Sequence, residues 1–289
     1  MQTCIITGAN SGIGKCAARQ IAAKGYRVVL ACRNMVQAEE VCAQIRTETG
    51  NDAVFARQVD LSLVENTRHF AETFSAEFGS LDVLINNAAD FDLARKQPFI
   101  TKEGNEAQFA TNLLSPFILM EELLPLLQRK QDGRIINIAS QGLMMFPNLT
   151  FDMKNIRGEK GYSPAKTYYQ TKLGLLMLSL ALQTLLAGSN VSVYAIRVTN
   201  VKVDISRYPN ISPILKAMYR VKRQFSISPD EMAKIYTLLA TGERQSGFYF
   251  DERLREVHCN KSAYDKDAQA QLRKLCADMT REVWSRPSS

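Results

Sequence analysis

Short apolar runs that lack polar alternation recur along the chain, each followed by a longer stretch in which apolar residues return every three or four positions. The runs predict strands at 4–7, 27–31, 54–58, 83–86, 134–139, 192–197 and, shortest and last, 247–250. The stretches between them predict helices over 12–24, 35–48, 63–78, 104–128 with a bend at Pro116, 167–186 and 232–241. Strands apolar on both faces, each followed by a helix, imply a parallel sheet covered on both sides. Right-handed crossovers make such a sheet doubly wound. No repeat or low-complexity linker divides the chain, so residues 1–289 are read as one α/β domain.

The composition, with 46% hydrophobic and 22% charged residues, supports a buried core and not a disordered chain. Lys plus Arg exceeds Asp plus Glu by 36 to 29, a net charge of +7. The basic residues are scattered, and no basic block carries interleaved aromatics, so a nucleic-acid partner is not expected. Six cysteines include no CxxC pair and the two histidines, His69 and His258, lie far apart, which argues against a metal site. The cysteines read as reduced core residues of a cytoplasmic protein. The first strand starts too early for a signal peptide to precede it. An uncharged stretch over 173–196 is broken by Gly188-Ser189-Asn190, which leaves its helical part short of the roughly 20 residues a membrane span needs. No membrane span is expected.

Thr7-Gly8-Ala9-Asn10-Ser11-Gly12-Ile13-Gly14 lies between the first strand and the first helix. Glycines there allow a tight turn and let backbone approach a pyrophosphate, at which the helix N-terminus then points. This placement makes the loop a dinucleotide-binding signature of Rossmann type. An acidic residue at the end of the second strand would accept the ribose 2′-hydroxyl of NAD. The sequence offers Ala31-Cys32-Arg33-Asn34 instead, and Arg33 can fork onto a 2′-phosphate. NADP(H) is therefore the expected cofactor.

Tyr168 and Lys172 open the helix after the fifth strand and, four residues apart, share one face. A phenol ordinarily titrates near 10. An ammonium about 4 Å away at an effective dielectric of about 20 favours phenolate by up to about 4 kcal/mol. That is roughly three pKa units, enough for acid–base chemistry near neutrality. Ser140 ends the fifth strand, Asn86-Asn87-Ala88-Ala89 ends the fourth and Asp60-Leu61 follows the third, all on the rim where parallel sheets bind ligands.

In their order, the glycine loop, Asp60, the Asn-Asn-Ala segment, Asn112, Ser140 and the Tyr168/Lys172 pair resemble the short-chain dehydrogenase/reductase family, from residue 4 to about 196. The resemblance implies a catalytic set of Asn112, Ser140, Tyr168 and Lys172. Tyr168 would exchange a proton with the substrate oxygen and Ser140 would hold that oxygen. Lys172 would lower the tyrosine pKa and bind the nicotinamide ribose, and Asn112 would hold a water for proton relay. Gly8, Asn10, Ser11, Gly12, Ile13, Gly14, Arg33, Asn34, Asp60, Leu61, Asn87, Ala88 and Val201, with Tyr168 and Lys172, would contact the cofactor. Within the family the chain is most similar to the retinol dehydrogenase-like branch, through Ala31-Cys32-Arg33, the insert between Ser140 and Tyr168, and the tail around Ala263-Tyr264-Asp265. That branch favours lipophilic aldehydes, ketones and alcohols. Its membrane anchor precedes the glycine loop and has no counterpart here, so membrane residence is not expected.

Two stretches depart from the family pattern, the end of the fourth strand's segment and the segment after the sixth strand. Ala89 stands where a glycine is usual, and Val198-Thr199 and Val201-Lys202-Val203 stand where Pro-Gly and Val-x-Thr are usual. Proline rigidity, glycine freedom and a hydroxyl near the carboxamide are all lost. Residues 203–228 form the expected substrate-covering insert. Within it Ile214, Leu215, Met218, Val221 and Phe225 take helical spacing, with Lys216, Arg220, Lys222 and Arg223 on other faces. Such a segment reads as a lid or packed helix, with peripheral membrane contact as the alternative. Leu143, Met144, Met145, Phe146, Leu149 and Phe151 add expected apolar lining. The Tyr168 helix is apolar nearly all round, which points to a homodimer or, alternatively, to cover by the chain's own tail. The sequence thus reads as an NADP(H)-dependent oxidoreductase acting on a small lipophilic carbonyl or alcohol. A C=C reductase and a catalytically silent NADP(H)-binding sensor are the alternatives.

Overall fold

A computed structural model describes residues 1–92, 94–202 and 226–284. Seven strands, β1 (Thr3–Thr7), β2 (Arg27–Cys32), β3 (Val54–Gln58), β4 (Val83–Asn86), β5 (Gly133–Ser140), β6 (Val191–Val198) and β7 (Tyr249–Phe250), form one sheet in the order β3-β2-β1-β4-β5-β6-β7. Every pairing is parallel. The order reverses between β1 and β4, which opens a crevice at the carboxyl ends of these strands. β1 and β4 are buried throughout, as strands covered on both faces must be.

Helices α1 (Gly12–Ala22), α2 (Met35–Thr49) and α6 (Pro229–Thr241) cover one face, where Ile21, Ile45 and Tyr236 join the core. Helices α3 (Val64–Phe78), α4 (Ala107–Gln128), α5 (Pro164–Leu185) and α7 (Lys266–Trp284) cover the other, with Phe74, Leu123, Leu176 and Leu272 in a second core. The doubly wound parallel sheet expected from the apolar pattern is the observed architecture.

Several boundaries differ from the expected ones. α4 begins at Ala107 and is interrupted by a π-helical turn over Ala110–Leu114, which ends two residues before Pro116. Proline has no N–H to donate one turn back, so the ladder is broken there in any case. α5 starts at Pro164, with the Ser163 hydroxyl capping it through the Lys166 N–H. α7 was not foreseen. Its signals are an Asp265 carboxylate that accepts from the Asp267 and Ala268 N–H groups, and buried Leu272, Cys276 and Thr280 at four-residue spacing.

α7 packs on α5, and Leu272 and Cys276 join the core that includes Leu175, Met177 and Leu178. The apolar excess of α5, from which a homodimer was expected, is thus covered at least in part by the chain's own tail. Among the described residues one helix, Ala107–Gln128, is long and apolar enough to cross a membrane, and 72% of its most apolar window is buried inside the protein. The uncharged stretch over 173–196 divides into the end of α5 and β6. The expected helix over 213–225, and most of the 203–228 insert, lie outside the described residues.

Candidate active site

The crevice is a cleft of about 2380 Å³, larger than the roughly 300–1,000 Å³ typical of a single small ligand. Every residue expected to contact the cofactor lines it except Lys172. Of the expected catalytic residues, Ser140 and Tyr168 line the cleft, whereas Lys172 and Asn112 are buried behind its wall.

At one end the chain turns from β1 into α1 through Gly8 and Gly12, both in the left-handed region with φ of 64° and 58°. The Gly8 N–H donates to the Ala31 carbonyl at 2.8 Å, tying the loop to β2. A side chain at Gly14 would place its Cβ 2.5 Å from Asn87 Nδ2 and 2.8 Å from the Gly8 carbonyl. Asn87 itself is committed: Nδ2 donates to the Thr7 carbonyl at 2.8 Å, and Oδ1 accepts from the Tyr236 hydroxyl at 3.3 Å. It lines the cleft while bracing the loop against β4. Ser11 precedes α1 without capping it by its side chain, so the first N–H groups of the helix are left to a ligand. These features fit a pyrophosphate.

Arg33, exposed on the cleft wall, makes no ion pair among the described residues. The adjoining Asn34 caps α2 by accepting from the Gln37 N–H at 3.1 Å. Asp60 folds onto its own loop, Oδ1 accepting from the Ser62 N–H and hydroxyl at 2.9 and 2.7 Å.

At the other end Tyr168 lies in a series of rings. Its centroid is 4.3 Å from Phe91 and 5.3 Å from Tyr169, which is 5.0 Å from Phe146. Met144 and Met145 are exposed at the rim of the cleft. Leu143, Leu149 and Phe151, expected to line the substrate region, pack with the core instead. A Cβ at Gly142 would run into the Tyr169 ring and hydroxyl, so a side chain there would have to displace that ring. The Ser140 hydroxyl accepts from the Gly142 N–H at 3.2 Å.

Lys172 Nζ donates to the Ile138 carbonyl at 2.8 Å and lies 5.7 Å from the centre of the Tyr168 ring. Burial lowers its pKa to about 8. The Asn112 carboxamide, in the π-helical turn, is engaged on both sides. Oδ1 accepts from the Asp90 N–H at 2.7 Å, and Nδ2 donates to the Asp90 carbonyl at 3.0 Å and to Thr171 Oγ1 at 3.2 Å. Thr171 in turn donates to the Tyr168 carbonyl at 2.7 Å. The side chain expected to hold a water is therefore occupied in joining the 90–91 loop to the second turn of α5.

A family model for short chain dehydrogenases matches residues 2–151. The chain belongs to that family. As a short-chain dehydrogenase it is an oxidoreductase, and its relatives agree. It is 34% identical to mouse retinol dehydrogenase 11 over 86% of this chain and 77% of that protein. It is likewise 34% identical to human retinol dehydrogenase 13 over 98% of this chain and 84% of that protein. A solved metagenomic short-chain oxidoreductase in complex with NADP superposes with a TM-score of 0.63 at 26% identity, covering 89% of this chain and 98% of its own.

Residues 198–202, which depart from the family pattern, are held by local contacts in this dehydrogenase, whereas Val203 lies outside the described residues. Val198 remains in β6, paired with Ser140, and the Thr199 hydroxyl donates to Gln141 Oε1 at 2.7 Å. Val201 bridges to Ile227, and the Lys202 N–H donates to the Ile227 carbonyl at 2.9 Å. The loop after β6 is thus tied at both ends without Pro-Gly. Sequence reasoning missed Phe91, Asp90 and Thr171, which contact Tyr168 or Asn112, and Arg95, which pairs with Asp90. Thr171 could have been singled out by its place inside the Tyr168/Lys172 turn, whereas nothing in the sequence marks Phe91.

Proposed function

We propose that this dehydrogenase is an NADP(H)-dependent oxidoreductase that interconverts lipophilic carbonyl compounds and their alcohols, with residues 1–289 acting as one catalytic unit. The observation that carries the reading is Tyr168, lining the cleft with the Lys172 ammonium beside its ring, at the far end from the glycine loop. NADPH supplies the hydride when bound.

Tyr168 gives its phenolic proton to the carbonyl oxygen as that oxygen gains charge, and accepts it back in the oxidative direction. Ser140, at the end of β5, is assigned to hold the same oxygen. Lys172 keeps positive charge beside the phenol: with a pKa near 8 it is mostly protonated at neutrality. Asn112 and Thr171 hold the second turn of α5 and so set the direction of the Tyr168 side chain. Arg33, with no acidic residue beside it at the end of β2, is assigned to the 2′-phosphate of NADP(H).

The rings of Phe91, Tyr169 and Phe146, with Met144 and Met145, support a lipophilic substrate. A cytoplasmic setting is supported by free thiols at Cys4, Cys32, Cys42, Cys259 and Cys276, all buried. The test is NADPH and NADH consumption by the purified protein across matched lipophilic and polar aldehydes and ketones. NADPH-dependent turnover that rises with substrate lipophilicity is expected. Turnover with NADH alone, or with none of the carbonyls, overturns the reading.

A further inference from the structure

The described residues between β4 and α4 form no helix or strand beside the candidate site, yet residue 90 is held on every side. Its backbone N–H and carbonyl are bound by Asn112. Its carboxylate is gripped by Arg95, with Nη1 to Oδ2 at 2.9 Å and Nη2 to Oδ1 at 3.2 Å, a planar fork on a planar acceptor. Arg95 is held in turn. Its guanidinium lies 5.9 Å from the centre of the Phe99 ring and 3.8 Å from the buried Glu106 carboxylate, at the start of α4. The pair is mostly shielded, with side-chain exposures of 19% for Arg95 and 23% for Asp90, so water screens it little.

The residue after Asp90 is Phe91, whose ring lies 4.3 Å from that of Tyr168. Tyr168 is thus fixed from two sides. Thr171 and Asn112 hold its backbone, and Phe91 confines its ring. The backbone grip comes from α4 and α5, whereas Arg95 grips the 90–95 segment by a two-bond fork on the Asp90 carboxylate.

We infer that Arg95 is a positioning residue for proton transfer: by clamping Asp90 it holds Phe91 against Tyr168 and keeps the phenol aimed into the cleft. The inference rests on the reading of Tyr168 as the proton-transfer group. Arg95 lines the cleft, but its guanidinium is committed to Asp90, so the function assigned to it is exerted through Asp90 and Phe91. A lysine cannot reproduce the fork, so Arg95→Lys retains charge and loses geometry.

The ring contact can be measured without any substrate. In protein carrying ¹³C-labelled tyrosine, the Tyr168 signal is assigned by its disappearance in Tyr168→Phe. Phe91→Leu removes the ring current and fixes the shift of an uncovered Tyr168. Arg95→Met is expected to move the signal most of the way to that value, and Arg95→Lys part of the way. In carbonyl reduction, Arg95→Met is expected to lower kcat about tenfold to a hundredfold, with KM and the NADPH Kd changing less than about threefold. Adding Phe91→Leu should cost little more, because both substitutions remove one constraint. A folded Arg95→Met protein whose Tyr168 signal stays at the wild-type position overturns the proposal. So does a loss of kcat that adds in full to that of Phe91→Leu. If Arg95→Met does not fold, the same two readouts on Arg95→Lys decide. Wild-type protein that reduces no carbonyl counts against the proton-transfer reading alone, since the ring signal still decides the clamp.

Discussion

Lys172 Nζ lies 5.7 Å from the centre of the Tyr168 ring and donates a hydrogen bond, 2.8 Å long, to the carbonyl of Ile138 on β5. One cation therefore ties the helix bearing the phenol to the strand that ends in Ser140. It does so while fully buried, and burial alone moves its pKa down, to about 8. Placing a charge there costs stability for the sake of chemistry.

That cost is measurable. A lysine whose pKa is lower folded than unfolded carries a penalty that is complete below about 8 and vanishes as pH rises towards its usual 10.5. Lys172→Met is expected to gain about 2 kcal/mol at pH 7, after allowing for the lost hydrogen bond, and less at pH 9.5. Its turnover should fall about a hundredfold or more. Urea unfolding at the two pH values, with steady-state kinetics, checks both. A destabilised variant would contradict the assigned penalty.

Glu106 is a second buried ionisable group. One carboxylate oxygen accepts from the Phe109 N–H at 2.9 Å, and the other has no hydrogen-bond partner. Burial pushes its pKa up from 4.5 to about 7, against the opposing pull of the Phe109 N–H and Arg95. Between those values the folded chain holds a proton that the unfolded chain has lost, so this group's contribution falls as pH rises. Glu106→Gln should therefore be more stable than wild type by about 2 kcal/mol at pH 8, with the gain gone near pH 4. Thermal melts of the two proteins across that range test the difference, and a pH-independent difference would be inconsistent with it.

Arg33 is expected to set the cofactor preference. Arg33→Asp removes a charged fork and puts a carboxylate where a 2′-phosphate would lie. The NADPH to NADH ratio of kcat/KM should drop by about tenfold or more. An unchanged ratio would remove Arg33 from the assignment.

Gly14 tests the cofactor end by space alone. Gly14→Ala drives a methyl into Asn87 Nδ2 and the Gly8 carbonyl, and the carbonyl cannot swing aside as a side chain can. Overpacking of this kind costs about 1–3 kcal/mol. NADPH should bind about tenfold more weakly or worse, as read by fluorescence titration. Unchanged affinity would show that the loop is not the cofactor's cradle.

The sheet was legible because its apolar runs are unbroken: 83–86 could only be a strand buried on both faces. The glycine loop and the Tyr168/Lys172 pair were legible because local spacing alone brings their atoms together. What was not legible depends on contacts far apart in sequence. Asn112 binds Asp90 and Thr171 instead of facing the cleft, which no local pattern reports. Phe151 reads as substrate lining but packs against Gly174 of α5. The excess leucines of α5 suggested a partner chain because α7, whose polar residues dilute its apolar stripe, had gone unseen.

Tyr168→Phe tests the central claim most directly. The substitution removes one oxygen and leaves the ring that packs on Phe91, so NADPH affinity and the melting temperature should stay close to wild type. NADPH-dependent reduction of a lipophilic aldehyde should fall by about a hundredfold to ten-thousandfold. A Tyr168→Phe enzyme that keeps wild-type kcat would contradict the account.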